Sequence, residues 1–283
     1  MDYTNLPAPA KLNLFLHITG RRPDGYHNLQ SVFILVDLCD RISLKRIERD
    51  EICRHGDIIG DPDKDLCVRA ARLLKEQTGC PFGVEITVKK NIPSGAGMGG
   101  GSSDAATTLM GLNRLWNLNL PQEELLQMAP KLGADVPFFI FGQNAWAEGI
   151  GEQLTPVNIP VSDIEILWPG VCQGTKEIFS HKDLTRDTKP VKIRVFTDAL
   201  VNEDWKRWGH NDFEQVVRRL NPEVDEMFHQ FPQFRLTGSG AAAFLIKKTG
   251  DERVVRKKIK KWQHFFVKSL TIHPLLSAAT MLN

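Results

Sequence analysis

The sequence predicts an α+β protein of two parts, and three observations carry that expectation. Alternating or continuous apolar runs that read as strands are interleaved with segments whose apolar residues recur at helical spacing, without a regular βαβ repeat. The chain's 283 residues suffice for one large or two ordinary domains with a substantial core. A short polar stretch bracketed by Pro156 and Pro160 marks a boundary, and the chain divides into 1–156 and 157–283.

Taken in order, Leu12, Leu14, Leu16 and Ile18 alternate with their neighbours and read as a first strand, which places Lys11 just before it. The turn-rich run Gly20 to Gly25 closes that strand. Val32 to Val36 is a continuous apolar run, and Ile42 and Leu44 alternate. Asp65 is placed to cap a helix carrying Leu66, Ala70, Leu73 and Leu74, which Gly79 stops. Val84 to Val88 reads as a strand leading into a glycine-rich loop and then a helix with Ala105, Leu109, Leu112 and Trp116. Pro121 opens another helix, and Phe138 to Phe141 reads as a strand preceded by Asp135. Beyond the boundary, Ile164 to Trp168 and Ala241 to Ile246 read as strands, and Phe213 to Leu220 and Val224 to Phe231 as helices. The basic run Arg253 to Lys261 reads as an amphipathic helix with a solvated face.

Composition narrows the function classes. A formal net charge of +2 gives no field for nucleic acid or a membrane surface, so neither partner is expected. Cys39, Cys53, Cys67, Cys80 and Cys172 are odd in number, widely spaced and lack any C-x-x-C, which argues against a disulfide framework and a zinc site. Leu12 to Ile18 is too short and too interrupted for a signal peptide, and no apolar run reaches membrane-spanning length; a cytoplasmic protein is the expectation.

The loop itself, Pro93-Ser94-Gly95-Ala96-Gly97-Met98-Gly99-Gly100-Gly101-Ser102-Ser103, points to phosphate. Its glycines free backbone N–H groups and permit positive φ, and the helix beginning near Ser102 adds unpaired N–H donors. It is not a dinucleotide fingerprint, because the position about 20 residues on, where an acid should meet a ribose, falls near Leu120. It is not a P-loop, because Gly101 is followed by Ser102 and Ser103 with no lysine. With Lys11 to neutralise charge and Asp135 to accept a proton, the set suits phosphoryl transfer.

Pro9-Ala10-Lys11-Leu12-Asn13-Leu14, the run Pro93 to Ser103, and Leu236-Thr237-Gly238-Ser239-Gly240 resemble the three ordered motifs of the GHMP kinase superfamily. Ile18 to His27 and Leu132 to Pro137 are similar to its branch whose acceptor alcohol carries cytidine diphosphate. The resemblance implies an N-terminal ribosomal-S5-domain-2-like ATP-binding domain and a C-terminal ferredoxin-like α/β sandwich. It implies ATP with Mg²⁺ as co-substrate, no tightly bound prosthetic group, and a cytidine-diphosphate-linked methylerythritol as acceptor. By motif match, Lys11 and Asp135 are the catalytic pair, residues 93–103 wrap the ATP phosphates, and Asn13 helps hold the acceptor. Tyr26 and His27 match the cytidine-binding pair, with Thr175 and Phe179 as the second wall, so that cytosine would lie between Tyr26 and Phe179. Asp65 stands where the superfamily often has Asn for adenine, and Ser103 offers a hydroxyl to Mg²⁺.

Overall fold

Strands β1 (Asp2–Arg21) and β2 (His27–Ile47) run antiparallel along almost their whole length, from Asp2↔Lys45 to Arg21↔His27, and form the spine of the protein. This computed structural model describes residues 2–202, 204–247 and 261–277; the helix expected at 253–261 falls, but for Lys261, outside the described residues. Lys11 lies in the middle of β1 rather than before it, because Pro7 and Pro9 hide the first half of the strand from a pattern reading. Similarly, the two apolar stretches of β2 are one continuous strand. The buried Asp40 between them need not end it, since that carboxylate accepts the backbone N–H groups of Asn91 (2.5 Å) and Ile92 (2.8 Å).

The remaining strands are β3 (Ile52–Gly56), β4 (Gly83–Lys89), β5 (Ala145–Glu148), β6 (Gln153–Pro156), β7 (Asp163–Trp168), β8 (Arg235–Leu236), β9 (Ala243–Ile246) and β10 (Gln263–Leu270). They make one mixed sheet in the order β3-β4-β2-β10-β7-β9-β8, with β1 and β5 also pairing to β2 and β6 pairing to β5. Only β3 and β4 pair in parallel among these strands. The half-exposed β10 was not apparent from the pattern. It joins the two parts of the sheet, contacting β2 at Ser269↔Val36 and Leu270↔Leu35 and β7 from Gln263↔Trp168 onward.

The helices are α1 (Leu66–Thr78), α2 (Gly100–Leu115), α3 (Gln122–Met128), α4 (Val136–Phe141), α5 (Thr175–Ser180), α6 (Ile193–Val201), α7 (Glu214–Leu220) and α8 (Pro222–Gln230). Asp65 caps α1 by accepting from the Cys67 and Val68 N–H groups, and Gly79 ends it in the left-handed region, both as the sequence indicates. Phe138 to Phe141, expected as a strand, is helix α4. Pro137 sits in its first turn, Gly142 closes it at φ +70°, and Phe138, Phe139 and Ile140 are wholly buried, so the run has no polar face for periodicity to report.

Helix α2 is buried nearly all round, Ser103, Asp104, Thr107 and Thr108 included, and lies within the first core, among Leu44 and Ile86 of the sheet, Ala70 and Leu74 of α1, and Phe138 and Phe139 of α4. A second core on the other part of the sheet gathers Leu12, Ile34, Trp146, Ile166, Phe196 and Phe244. A third packs α7 and α8 through Val217, Met227 and Phe228. The chain's tail returns to the first core: Ile272 bridges to Gln143 and Leu275 is buried there. No helix among the described residues is long and apolar enough to cross a membrane.

Candidate active site

Along the glycine-rich loop, left-handed glycines alternate with buried side chains. Gly95, Gly97 and Gly99 have φ of +64°, +76° and +70°, while Ala96 and Met98 between them are buried. Each left-handed glycine turns the backbone so that the next side chain anchors in the core and the intervening amides stay at the surface. Gly99 is then the N-cap of α2, with no side chain capping the helix, so the first N–H groups of the helix are left for a guest. The helix begins at Gly100, two residues before the expected start.

This loop is fastened on two sides. The Lys11 N–H donates to Met98 O (3.0 Å), docking the loop on β1. The Ala241 and Ala242 N–H groups donate to Gly95 O and Ala96 O (both 3.1 Å), docking it on the Leu236–Gly240 motif. The approach is close enough to exclude side chains: a Cβ on Gly97 would lie 2.3 Å from Thr237 O, and one on Gly238 2.6 Å from Gly97 O. The cavity above, about 550 Å³, is lined by Pro93 to Ser102, Lys11, Asn13, Asp135, Thr175, Phe179 and the Gly238–Gly240 turn. Ser103 is fully buried and lies outside that lining, whereas Ser102 lines it.

Lys11 and Asp135 meet across this cavity, Nζ to Oδ2 at 3.8 Å, the lysine nearly buried and the carboxylate one-third exposed. Burial pushes the Lys11 pKa down and Asp135 opposes that shift. The Lys11 ammonium donates to Asn13 Oδ1 (2.5 Å), Asn13 Nδ2 donates to Ser31 Oγ (2.8 Å), and Ser31 in turn donates to Phe15 O (2.5 Å). Asn13 is thus first a support for Lys11; its amide keeps one N–H beyond that chain of bonds.

A second polar group at the cavity was missed by sequence reasoning. Lys90, just after β4, donates to both Asp40 and Asp104 (2.5 Å to the latter), and Lys90 and Asp104 line the cavity. Asp104 stands on the first turns of α2, its Oδ1 buried without a partner, and burial pushes its carboxyl up to about 7 against the pull of Lys90. Asp65 is engaged by Arg54 (Nε to Oδ2, 2.9 Å) besides capping α1. Among the described residues no group of three or more His, Cys, Asp or Glu could hold a metal ion. The donors at the cavity, the Ser102 hydroxyl and the Asp135 carboxylate, fit an ion that arrives on phosphate oxygens.

On the acceptor side, Thr175 and Phe179 sit on α5 and line the cavity, with Thr175 Oγ1 2.8 Å from Ser239 Oγ. Tyr26 and His27, on the turn into β2, are not in the lining. Tyr26 is 61% exposed. The ring facing Phe179 is that of His27, nearly parallel at 4.9 Å between centroids, rather than that of Tyr26.

The pattern of the family described as GHMP kinases N terminal domain matches residues 65–143, from the Asp65 cap through the loop and Asp135 to the end of α4. A 4-diphosphocytidyl-2-C-methyl-D-erythritol kinase of Paraburkholderia phymatum is 50% identical over 280 residues, covering 96% of each chain. The chain belongs to the 4-diphosphocytidyl-2-C-methyl-D-erythritol kinase family. The crystal structure of a 4-(cytidine 5'-diphospho)-2C-methyl-D-erythritol kinase aligns over 95% of this chain and 99% of its own, with a TM-score of 0.79 and 30% identity. The mevalonate kinase of Methanococcus jannaschii, at 15% identity, aligns over 95% of this chain and 98% of its own with a TM-score of 0.68, and so shares the fold. The GHMP kinase fold, read from three short motifs, therefore extends over the whole architecture of this family member, including β10 and the C-terminal helices.

Proposed function

We propose that the chain transfers the γ-phosphate of ATP to the 2-hydroxyl of 4-diphosphocytidyl-2-C-methyl-D-erythritol, giving ADP and the 2-phosphate, a step of the non-mevalonate route to isoprenoid precursors. The observation that carries this reading is the Lys11–Asp135 pair at 3.8 Å, facing a glycine loop whose amides and helix start are free for phosphate. Residues 1–156 form the nucleotide side and 157–283 supply Thr175 and Phe179 to the acceptor side.

Residues 93–102 and the start of α2 wrap the phosphates, with Lys90 beside them. Mg²⁺ brought in on ATP would be held by the phosphate oxygens beside the Ser102 hydroxyl and would offset phosphate charge. Asp135 accepts the proton of the attacking hydroxyl. Lys11, whose charge is disfavoured by burial, is stabilised as the ammonium when the phosphate and the incipient alkoxide bring negative charge close, and so favours the transferring state over the resting one. Asn13 holds that ammonium in place and offers its remaining N–H to the acceptor. Tyr26, His27 and Phe179 take the cytosine.

The test is release of ADP from ATP and Mg²⁺ with the cytidine-linked alcohol, run beside homoserine, mevalonate and galactose at equal concentration. Turnover with the cytidine compound alone is expected. Turnover with another alcohol instead would retain the phosphoryl-transfer machinery and discard the cytosine pocket.

A further inference from the structure

Arg186 lies in the segment after α5, and its guanidinium has four recorded acceptors. Nη2 donates to Phe179 O (2.9 Å) and His181 O (2.8 Å), Nη1 to Leu184 O (3.0 Å), and Nε to His27 Nε2 (3.3 Å). The first three draw the chain from Phe179 to Leu184 around one planar cation. The fourth crosses 159 residues of sequence to the other wall of the acceptor pocket. Arg186 itself is carried on an anchored segment: the Thr188 N–H donates to Ile18 O (3.0 Å), and Thr188 Oγ1 donates to Asp212 Oδ2 (2.8 Å), which also accepts the Ile18 N–H (2.6 Å).

A guanidinium only donates, so the His27 nitrogen it meets must carry the lone pair, and the ring proton must sit on Nδ1. A doubly protonated ring would set a second N–H against a donor that cannot accept it. Burial first, then Arg186, then Arg21 at the end of β1, all hold the His27 pKa below its ordinary value. Phe179 covers one face of the same ring, so the imidazole is constrained in the plane by Arg186 and across it by Phe179.

We propose that Arg186 is a positioning residue of the acceptor pocket, fixing His27 as the neutral Nδ1–H tautomer against Phe179 and closing the 179–184 turn that forms the opposite wall. A ring so held presents a hydrogen-bond donor at Nδ1, which suits an acceptor of cytosine, the ring N3 or the carbonyl O2, and not its amino group. The consequence for the acceptor rests on the function proposed above; the tautomer does not.

Two measurements test this. Long-range ¹H–¹⁵N correlation on the full chain, with His27→Gln to assign the ring among the eight histidines, should show the Nδ1–H form from pH 8 to below 6.5, and Arg186→Met should move that titration upward and mix the tautomers. In the ADP-release assay, Arg186→Met should raise the KM for the cytidine-linked acceptor about tenfold or more, as loss of a charge-assisted hydrogen bond implies, while the KM for ATP and kcat stay within about threefold. Arg186→Lys should recover only part of this, since one ammonium cannot span four acceptors. A wild-type ring in the Nε2–H form, or equal rises in both KM values, would overturn the proposal. If Arg186→Met does not fold, the wild-type tautomer decides. A wild type that ignores the cytidine-linked substrate counts against the proposed function alone, and the spectrum still judges Arg186.

Discussion

At the phosphate end of the cavity the binding surface is backbone: Gly95, Gly97 and Gly99 alternate with buried anchors, and the neighbouring motif approaches so closely that no Cβ fits at Gly97. The acceptor end is assembled from side chains, with His27 and Tyr26 on a turn of one half, Phe179 and Thr175 on a short helix of the other, and Arg186 joining them. A surface made of fixed amides favours charge that appears in the transition state, because it needs no rearrangement. Side chains in a half-open pocket supply affinity and choice of partner instead. Substitutions at the first end should therefore change rate or folding, and those at the second should change one substrate's KM.

The largest effect that would sharpen this contrast is expected at the chemistry between the two ends. Asp135→Asn should lower kcat on the order of 10²-fold or more while nucleotide binding, followed by fluorescent-nucleotide titration, changes by less than about threefold. Unchanged turnover would remove Asp135 from the proton-accepting role. Next, Gly97→Ala and Gly101→Ala should differ sharply although both belong to the same glycine-rich run, the first in the loop and the second in the first turn of α2. The first forces a Cβ to 2.3 Å from Thr237 O at φ +76°, and the second meets only Leu66 Cδ1 at 3.5 Å. Thermal melts should show a loss of several degrees for Gly97→Ala, about 1–3 kcal/mol of strain, together with lost nucleotide binding, and almost no change for Gly101→Ala. Similar melts for both would break the argument that close backbone approach shapes this end.

At the acceptor end, Tyr26→Ala should raise the acceptor KM roughly tenfold, the scale of one base–aromatic stack, with the KM for ATP nearly unchanged; parallel rises in both would undo the cytosine assignment. The smallest effect concerns pH. The folded protein binds the Asp104 proton more tightly than the unfolded chain, whose carboxyl has the ordinary value of 3.8, because burial raises the folded value to about 7. Stability from this group is thus present at acid pH and lost as pH rises between those values. Asp104→Asn, which still offers Lys90 an oxygen, should melt closer to wild type at pH 5 and a few degrees higher at pH 8. A difference that does not vary with pH would count against a protonated Asp104.

The phosphate end was legible in the sequence because local chain geometry defines it: glycines at alternate positions, a strand before and a helix after. Lys11 and Asp135 were found too, but their elements were misread. Prolines concealed the strand around Lys11, and the all-buried run after Asp135 concealed a helix. What stayed hidden depends on pairing across the fold. Lys90 reads as one more surface lysine until β2 brings Asp40 to it and α2 brings Asp104. Likewise nothing local in Arg186 announces His27, and the stacking of His27 on Phe179 is set by tertiary packing.

The hold of Ala241 and Ala242 on the carbonyls of Gly95 and Ala96 also bears on the order in which the protein is made. Residues 93–103 leave the ribosome long before the two alanines that fasten them, since synthesis runs from the N-terminus. A nascent chain carries the loop's sequence well before it carries the loop's shape. The two hydrogen bonds that fix this side of the loop can therefore form only after β8 has been made.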